Sequence, residues 1–306
     1  MNRLITILLV ALATFFSINS YAFDMKAKPI EVIMPFAPGG GVDQAFRHLQ
    51  KYAAEQGIIL NGVYKPGADG LIGSTELQKS PNDGYTVAVT TAGVLANYYL
   101  KNDNRFVIVT GIKDSIGAFV TYDGSPYKTI EDVERAVRNG ENIRFGYGAP
   151  GQHMLLTQWF EFIKPNKEPL MVPYKGGGPV VNDLIGKHLD VAQIPMVVIK
   201  QLVDNGKLRL ISLTGAKVEE YNVPLMENKY KGWDKVDGFV VALPQGTDPQ
   251  IVKIYSDFMR KYLNDPSVKQ DFAKEYSITV PFGPNHIERT IEVAKLKLKK
   301  INESTK

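Results

Sequence analysis

The chain contains no cysteine. No disulfide can support the fold, cysteine cannot serve as a metal ligand, and a lipid anchor at a cleavage-site cysteine is ruled out. Histidine is almost as scarce: His48, His153, His188 and His286 show no metal-ligand spacing. No metal is expected, and no cofactor. Charge of one sign is also lacking, since 36 basic residues face 32 acidic ones for a net +4. That balance is too small and too scattered to argue for nucleic acid. The nearest thing to a basic cluster, Lys295, Lys297, Lys299 and Lys300, alternates with Leu296 and Leu298 and reads as the solvated face of a last helix. The first glycine loop carries no nucleotide signature, and the nucleophile elbow of a hydrolase is missing too. Gly41 is followed by Val42-Asp43 rather than the Lys-Ser/Thr of a Walker loop, the block Gly39 to Gly41 does not spread as G-x-G-x-x-G, and no G-x-S-x-G elbow occurs. No internal repeat or low-complexity tract is present.

Only one apolar run is long enough to notice, Leu4 to Phe16, and it is short for a membrane span. Arg3 precedes it and Ser20-Tyr21-Ala22 supplies small residues at a peptidase site, so residues 1–22 read as a signal peptide cleaved after Ala22. The mature protein is expected in a bacterial periplasm, as a monomer of roughly 280 residues, long enough for two lobes.

What the chain does have is glycine in loops. Glu31 to Met34 reads as a buried strand, Pro35 to Gly41 as a glycine loop, and Val42, Phe46 and Leu49 as one face of a helix. Glycine lets backbone N–H groups approach a ligand, and a first helical turn offers unpaired N–H groups at its positive dipole end. The stretch is built to hold an anion. A second loop, Gly146 to Gly151, and a third, Tyr174 to Gly178, also precede helical segments, with Pro179 expected at the first helical position of the third.

Between these loops, strand-like segments alternate with helical ones, which predicts parallel sheets covered by helices on both faces. Strands are expected at 60–64, 85–90, 107–122, 143–147, 190–195, 208–214 and 238–244. Thr129 with Asp132 marks the capping box of a helix over 130–138, and Thr247 to Gln250 another helix start. The chain crosses out of the first lobe near 119 and returns near Gly238. This makes a first lobe of 23–119 with 241–306 and a second lobe of 120–240.

The ordered set Pro35 to Asp43, Lys65 to Gly73, Pro81 to Tyr85, Val172 to Pro179 and Gly206 to Arg209 resembles the Bug, or TctC, family of extracytoplasmic solute receptors of tripartite tricarboxylate transporters. The resemblance covers almost all of the mature chain. It implies an α/β two-lobed periplasmic-binding-protein fold of type II-like form, with a small organic carboxylate held between the lobes. The first loop would grip through Phe36, Gly40, Gly41 and Asp43, the second through Ala149, Gly151 and Gln152, with Thr90, Thr91, Gln193 and Pro195 contributing from strand ends. His153, at the start of the helix after the second loop, is a further candidate contact. The partners implied are membrane transporter subunits or a sensor kinase.

Departures from the family pattern fall in the same loops. Val42 stands where Thr is common, Gln152 where Ser or Thr is, Gln193 where Asp is, and Leu71 where Asn is. They leave backbone anion capture intact and change the polarity around it. An exported enzyme acting on a small carboxylate is the alternative; it would need a titratable pair or a nucleophile in the cleft, and only Asp43 and His153 offer themselves.

Overall fold

In the computed structural model, residues 23–235, 238–278, 280–281 and 283–304 are described. The expected signal peptide and its cleavage site lie outside them. The chain begins with β1 (Ile30–Met34), α1 (Gly41–Glu55), β2 (Leu60–Tyr64), α2 (Leu71–Lys79), β3 (Thr86–Thr91), α3 (Ala92–Tyr99) and β4 (Val107–Gly111). A short β5 (Asp114–Ser115) leads to β6 (Gly117–Tyr122), α4 (Ile130–Arg138), β7 (Arg144–Tyr147), α5 (Pro150–Ile163), β8 (Leu170–Pro173), α6 (Gly177–Ile185), β9 (Val191–Pro195), α7 (Met196–Asp204) and β10 (Leu208–Thr214). The single turn α8 (Met226–Lys229), β11 (Phe239–Leu243), α9 (Pro249–Asn264), α10 (Pro266–Lys274), β12 (Ser277–Ile278) and α11 (Pro284–Ser304) complete it.

Two five-stranded sheets result, in the orders β2-β1-β3-β11-β4 and β10-β6-β9-β7-β8. The expectation of parallel sheets holds only for β1 with β2 and β3, and for β7 with β8 and β9. The strands beside each crossing, β11 in one sheet and β6 in the other, run antiparallel to their neighbours. The reason is topological: a chain that leaves a lobe and returns inserts its strand in the reverse direction. The expected boundary at 119/120 falls inside β6, which pairs wholly in the second sheet, and that at 240/241 falls inside β11, a strand of the first. A separate two-stranded sheet pairs β12 antiparallel with β5.

Period-two alternation sends opposite residues of each strand into different cores. Ile30, Val32 and Met34 join Val87, Val89 and Val241 beneath α1 and α9, while Ile33, Ala88 and Ala242 face α3 and α11. The second sheet divides in the same way, with Phe145 and Val191 against Trp159 of α5, and Ala192 and Ile194 against Val180 and Leu184 of α6. Helices on both faces make strands such as Thr86–Thr91 buried throughout.

Helix starts follow their sequence signals with two exceptions. The Thr129–Asp132 capping box forms with both reciprocal bonds. Pro179 sits at the third helical position, because Gly176 is the N-cap of α6; its missing N–H is still one that no helical carbonyl would accept. For α9 the cap is Asp248, with Pro249 first in the helix, while the Thr247 hydroxyl donates to Pro244 O at 2.8 Å.

Candidate functional site

The carboxyl ends of β1 and β3 face those of β7, β8 and β9 across the gap between the sheets. Each of these strands leads, at once or through a short loop, into a helix, and the N-termini of α1, α3, α5, α6 and α7 border one cavity. The cavity between them, about 30 Å³ of water-sized space, is lined by cap residues of all five: Gly40 and Gly41, Thr91, Ala149, Gly176 and Gly177, and Pro195. Phe36, Val42, Gly148, Gln152 and Phe239 complete the wall. Among the described residues no charged side chain lines it. The first N–H of α3 is taken by Gly238 O and that of α7 by Ile116 O, so the unpaired N–H groups come from the other three ends, while positive dipole ends of all five border an uncharged chamber; such an arrangement favours an anion.

Of the residues nominated by sequence, Phe36, Gly40, Gly41, Thr91, Ala149, Gln152 and Pro195 line this cavity. Asp43, Thr90, Gly151, His153 and Gln193 are not in its wall. Asp43 lies behind the first loop with both carboxylate oxygens occupied. One accepts from Gly39 N at 2.8 Å and Arg47 Nε at 3.0 Å, the other from Tyr64 Oη at 2.6 Å. Burial works against its charge, but the bonds from Tyr64, Gly39 and Arg47 together outweigh it and hold the carboxyl below its ordinary value. Asp43 therefore orders the loop from beneath.

Thr90 faces a small gap in the first lobe among Ile33, Leu77, Leu95 and Phe106, its hydroxyl buried without a partner among the described residues. Gln193 is 2% exposed, and its amide lies so close to Gly117 that a side chain there would meet it at 2.6 Å. His153 stacks on Tyr147, with ring centres 4.6 Å apart and planes 11° from parallel. Burial pushes the imidazole below its ordinary value, only partly offset by the Asp69 carboxylate. Burial likewise pushes Tyr147 up to about 12.

Gln152 is buried at the third position of α5, where its Oε1 accepts from Gly148 N at 2.5 Å. That bond assigns the amide: oxygen toward the second loop, Nε2 away from it. Gly148, Gly176, Gly177 and Phe239 were not nominated from sequence. The glycines announced themselves as loop residues, but Phe239 carries no local signal, because it arrives from the returning strand β11 and meets Gly41 edge-on.

Elsewhere a larger cavity of about 240 Å³ separates α5 from α11, with Gln158, Glu161, Lys297 and Lys300 in its wall. Lys297 is occupied there by Gln158 and Asp234. None of the convergent helix N-termini reaches it. Among the described residues no group of side chains could hold a metal ion, and no helix is long and apolar enough to cross a membrane.

Comparison with known proteins identifies the fold and the family. Protein BugT of Bordetella pertussis is 27% identical over 308 residues, spanning 93% of this chain and 92% of BugT. Among solved structures, the periplasmic binding protein BugD superposes with a TM-score of 0.81 at 22% identity, over 90% of this chain and 97% of its own. A Rhodopseudomonas palustris protein solved with adipate gives 0.81 at 21% identity (92% and 98% covered), and MatC from the same organism, with bound malate, 0.74 at 19% (90% and 97% covered). These likenesses establish the two-lobed periplasmic-binding-protein fold. Residues 44–292 match the family described as "TctC: Tripartite tricarboxylate transporter family receptor". The chain belongs to the TctC family, a family of solute-binding receptors rather than enzymes.

Proposed function

We propose that the chain is a periplasmic receptor that captures a small carboxylate between its lobes and delivers it to the membrane subunits of a tripartite tricarboxylate transporter. The observation that carries this reading is the convergence of five helix N-termini on a chamber without a charged side chain. The carboxylate is met by backbone N–H groups, while Phe36, Val42, Pro195 and Phe239 offer only apolar surface to the rest of the molecule. A second carboxylate pressed against that surface would be desolvated with no cation to offset the loss of its water, the Gln152 amide beside it being an uncharged donor. The ligand is accordingly a short acid that carries no charge beyond its carboxylate. The two sheets support lobes of 23–112 with 239–304, and 117–235. Closure between them is a shift between open and closed populations that contacts from both sides favour.

At about 1 kcal/mol per terminus, the five ends supply several kcal/mol to an anion and almost nothing to a neutral isostere. Calorimetry of the mature protein against butyrate, butyramide and succinate tests this, since the amide lacks the charge and succinate adds a second one. Butyrate is expected to bind more than a hundredfold tighter than butyramide, and tighter than succinate. Binding of butyramide as tight as that of butyrate would end the anion reading. A preference for succinate would end the claim that the rest of the ligand is uncharged.

A further inference from the structure

The third glycine loop does more than line the cavity. The Ala37 N–H of the first lobe donates to the Lys175 carbonyl of the second at 2.7 Å, a backbone bond between lobes. The glycines next to it leave no room for side chains. A Cβ on Gly178 would stand 2.9 Å from Pro38 O, and one on Gly40 3.3 Å from Gly177 N. Gly176, whose φ of +135° only glycine adopts readily, turns the chain so that a Cβ there would meet Ala37 N at 3.3 Å. Gly148 of the second loop supports the third from behind, for its Cβ would lie 2.5 Å from Gly176 O. The same kind of contact recurs beside Thr91, where a Cβ on Gly93 in α3 would come within 3.0 Å of Gly151 N in α5.

We propose that the Tyr174 to Gly178 loop is the latch of lobe closure: main chain closes on main chain through Ala37 and Lys175, and Gly178 and Gly93 supply the clearance. This rests on the receptor reading for its purpose, not for its test. Side chains at lobe contacts would have to be ordered on every closure, at a cost in rotamer entropy. Glycine against glycine avoids that cost and brings both backbones to the edge of the chamber. Gly178 and Gly93 are positioning residues, and neither has a left-handed φ, so alanine fits the local conformation of each. Both lie in the first turn of a helix, where alanine is the better helix former. A purely local role therefore predicts that Gly178→Ala and Gly93→Ala are harmless.

The absence of cysteine makes the test direct. The double variant Ala37→Cys, Lys175→Cys is oxidised with diamide, and formation of the intramolecular disulfide is followed by gel shift and mass, without any ligand. The latch predicts a disulfide that forms readily, and at least tenfold more slowly when Gly178→Ala or Gly93→Ala is added, while the melting temperature of the reduced protein stays the same or rises. Two alanine variants on separate elements guard against one of them misfolding. Failure of the cysteine pair to couple, or coupling at an unchanged rate in both alanine backgrounds, would overturn the proposal. A latch that behaves as expected in a protein that binds no acid would leave the latch standing and remove the receptor reading alone.

Discussion

Asp43→Ala should cost stability first and ligand affinity second. The carboxylate receives Tyr64 Oη at 2.6 Å, Gly39 N at 2.8 Å and Arg47 Nε at 3.0 Å. Hydrogen bonds to a charged acceptor contribute about 1.5–3 kcal/mol each. The Gly39 bond falls at the low end because that residue is exposed and water can replace the acceptor. Arg47 is 64% exposed, so its ion pair adds little. The sum is about 3 kcal/mol, which corresponds to a fall in melting temperature of roughly 6–12 °C for a chain of this size. Asp43→Asn keeps one acceptor and should lose about half as much. Because the folded carboxyl titrates below its ordinary value of 3.8, its stabilisation is complete above that value and is lost as pH falls through the lower folded one. Thermal melts from neutral pH down to pH 3 would show the difference between wild type and Asp43→Asn shrinking at the acid end. Affinity should drop about tenfold, through a loosened first loop. If Asp43→Ala melted within 2 °C of wild type yet lost more than a hundredfold in affinity, the carboxylate would be serving the ligand and not the loop.

Three further outcomes follow from groups outside the chamber. His153 is held below its ordinary 6.5 by burial, so its neutral form stabilises the fold above pH 6.5 and that contribution is lost as pH falls toward the folded value; His153→Gln should flatten the melting-temperature profile between pH 7 and 5. Lys113 is fully buried, with Nζ 2.5 Å from Glu275 Oε2, and Glu275 also bonds His48. Glu275→Ala should therefore destabilise by about 3–5 kcal/mol, against a much smaller loss for Lys113→Met, which fills the space and leaves no buried cation; equal losses in urea melts would contradict this. Thr129→Ala removes one half of a complete capping box and should cost about 1 kcal/mol in the same assay.

Much of the fold could be read from local chemistry. The strand, glycine loop and helix start at Glu31 to Leu49, the capping box at Thr129 and the alternation of apolar strands with amphipathic helices each depend on residues within a few positions of one another. The mixed sheets could not be read in this way. Strand direction at a crossing depends on where the chain returns, and neither Phe119 nor Val240 encodes that locally. The exposed strand Leu170–Pro173, with no fully buried position, gave no signal of its own, and it pairs because β7 presents a free edge.

The candidate site divides along the same line. The sequence by itself determined that glycine-rich βα loops would offer N–H groups to an anion, because that capacity is a property of a glycine turn and a first helical turn wherever they sit. Tertiary structure alone decided which residues meet. It turned Asp43 inward to Tyr64, twenty-one positions away, set Gln193 against Gly117, and brought Phe239 across from the returning strand to face Gly41. It also seated the third glycine loop on the first, through a bond between Ala37 and Lys175. Side-chain partners separated by many residues are fixed by sheet order and by the packing of helices on the sheets, and those depend on the burial of whole cores rather than on any short stretch of sequence.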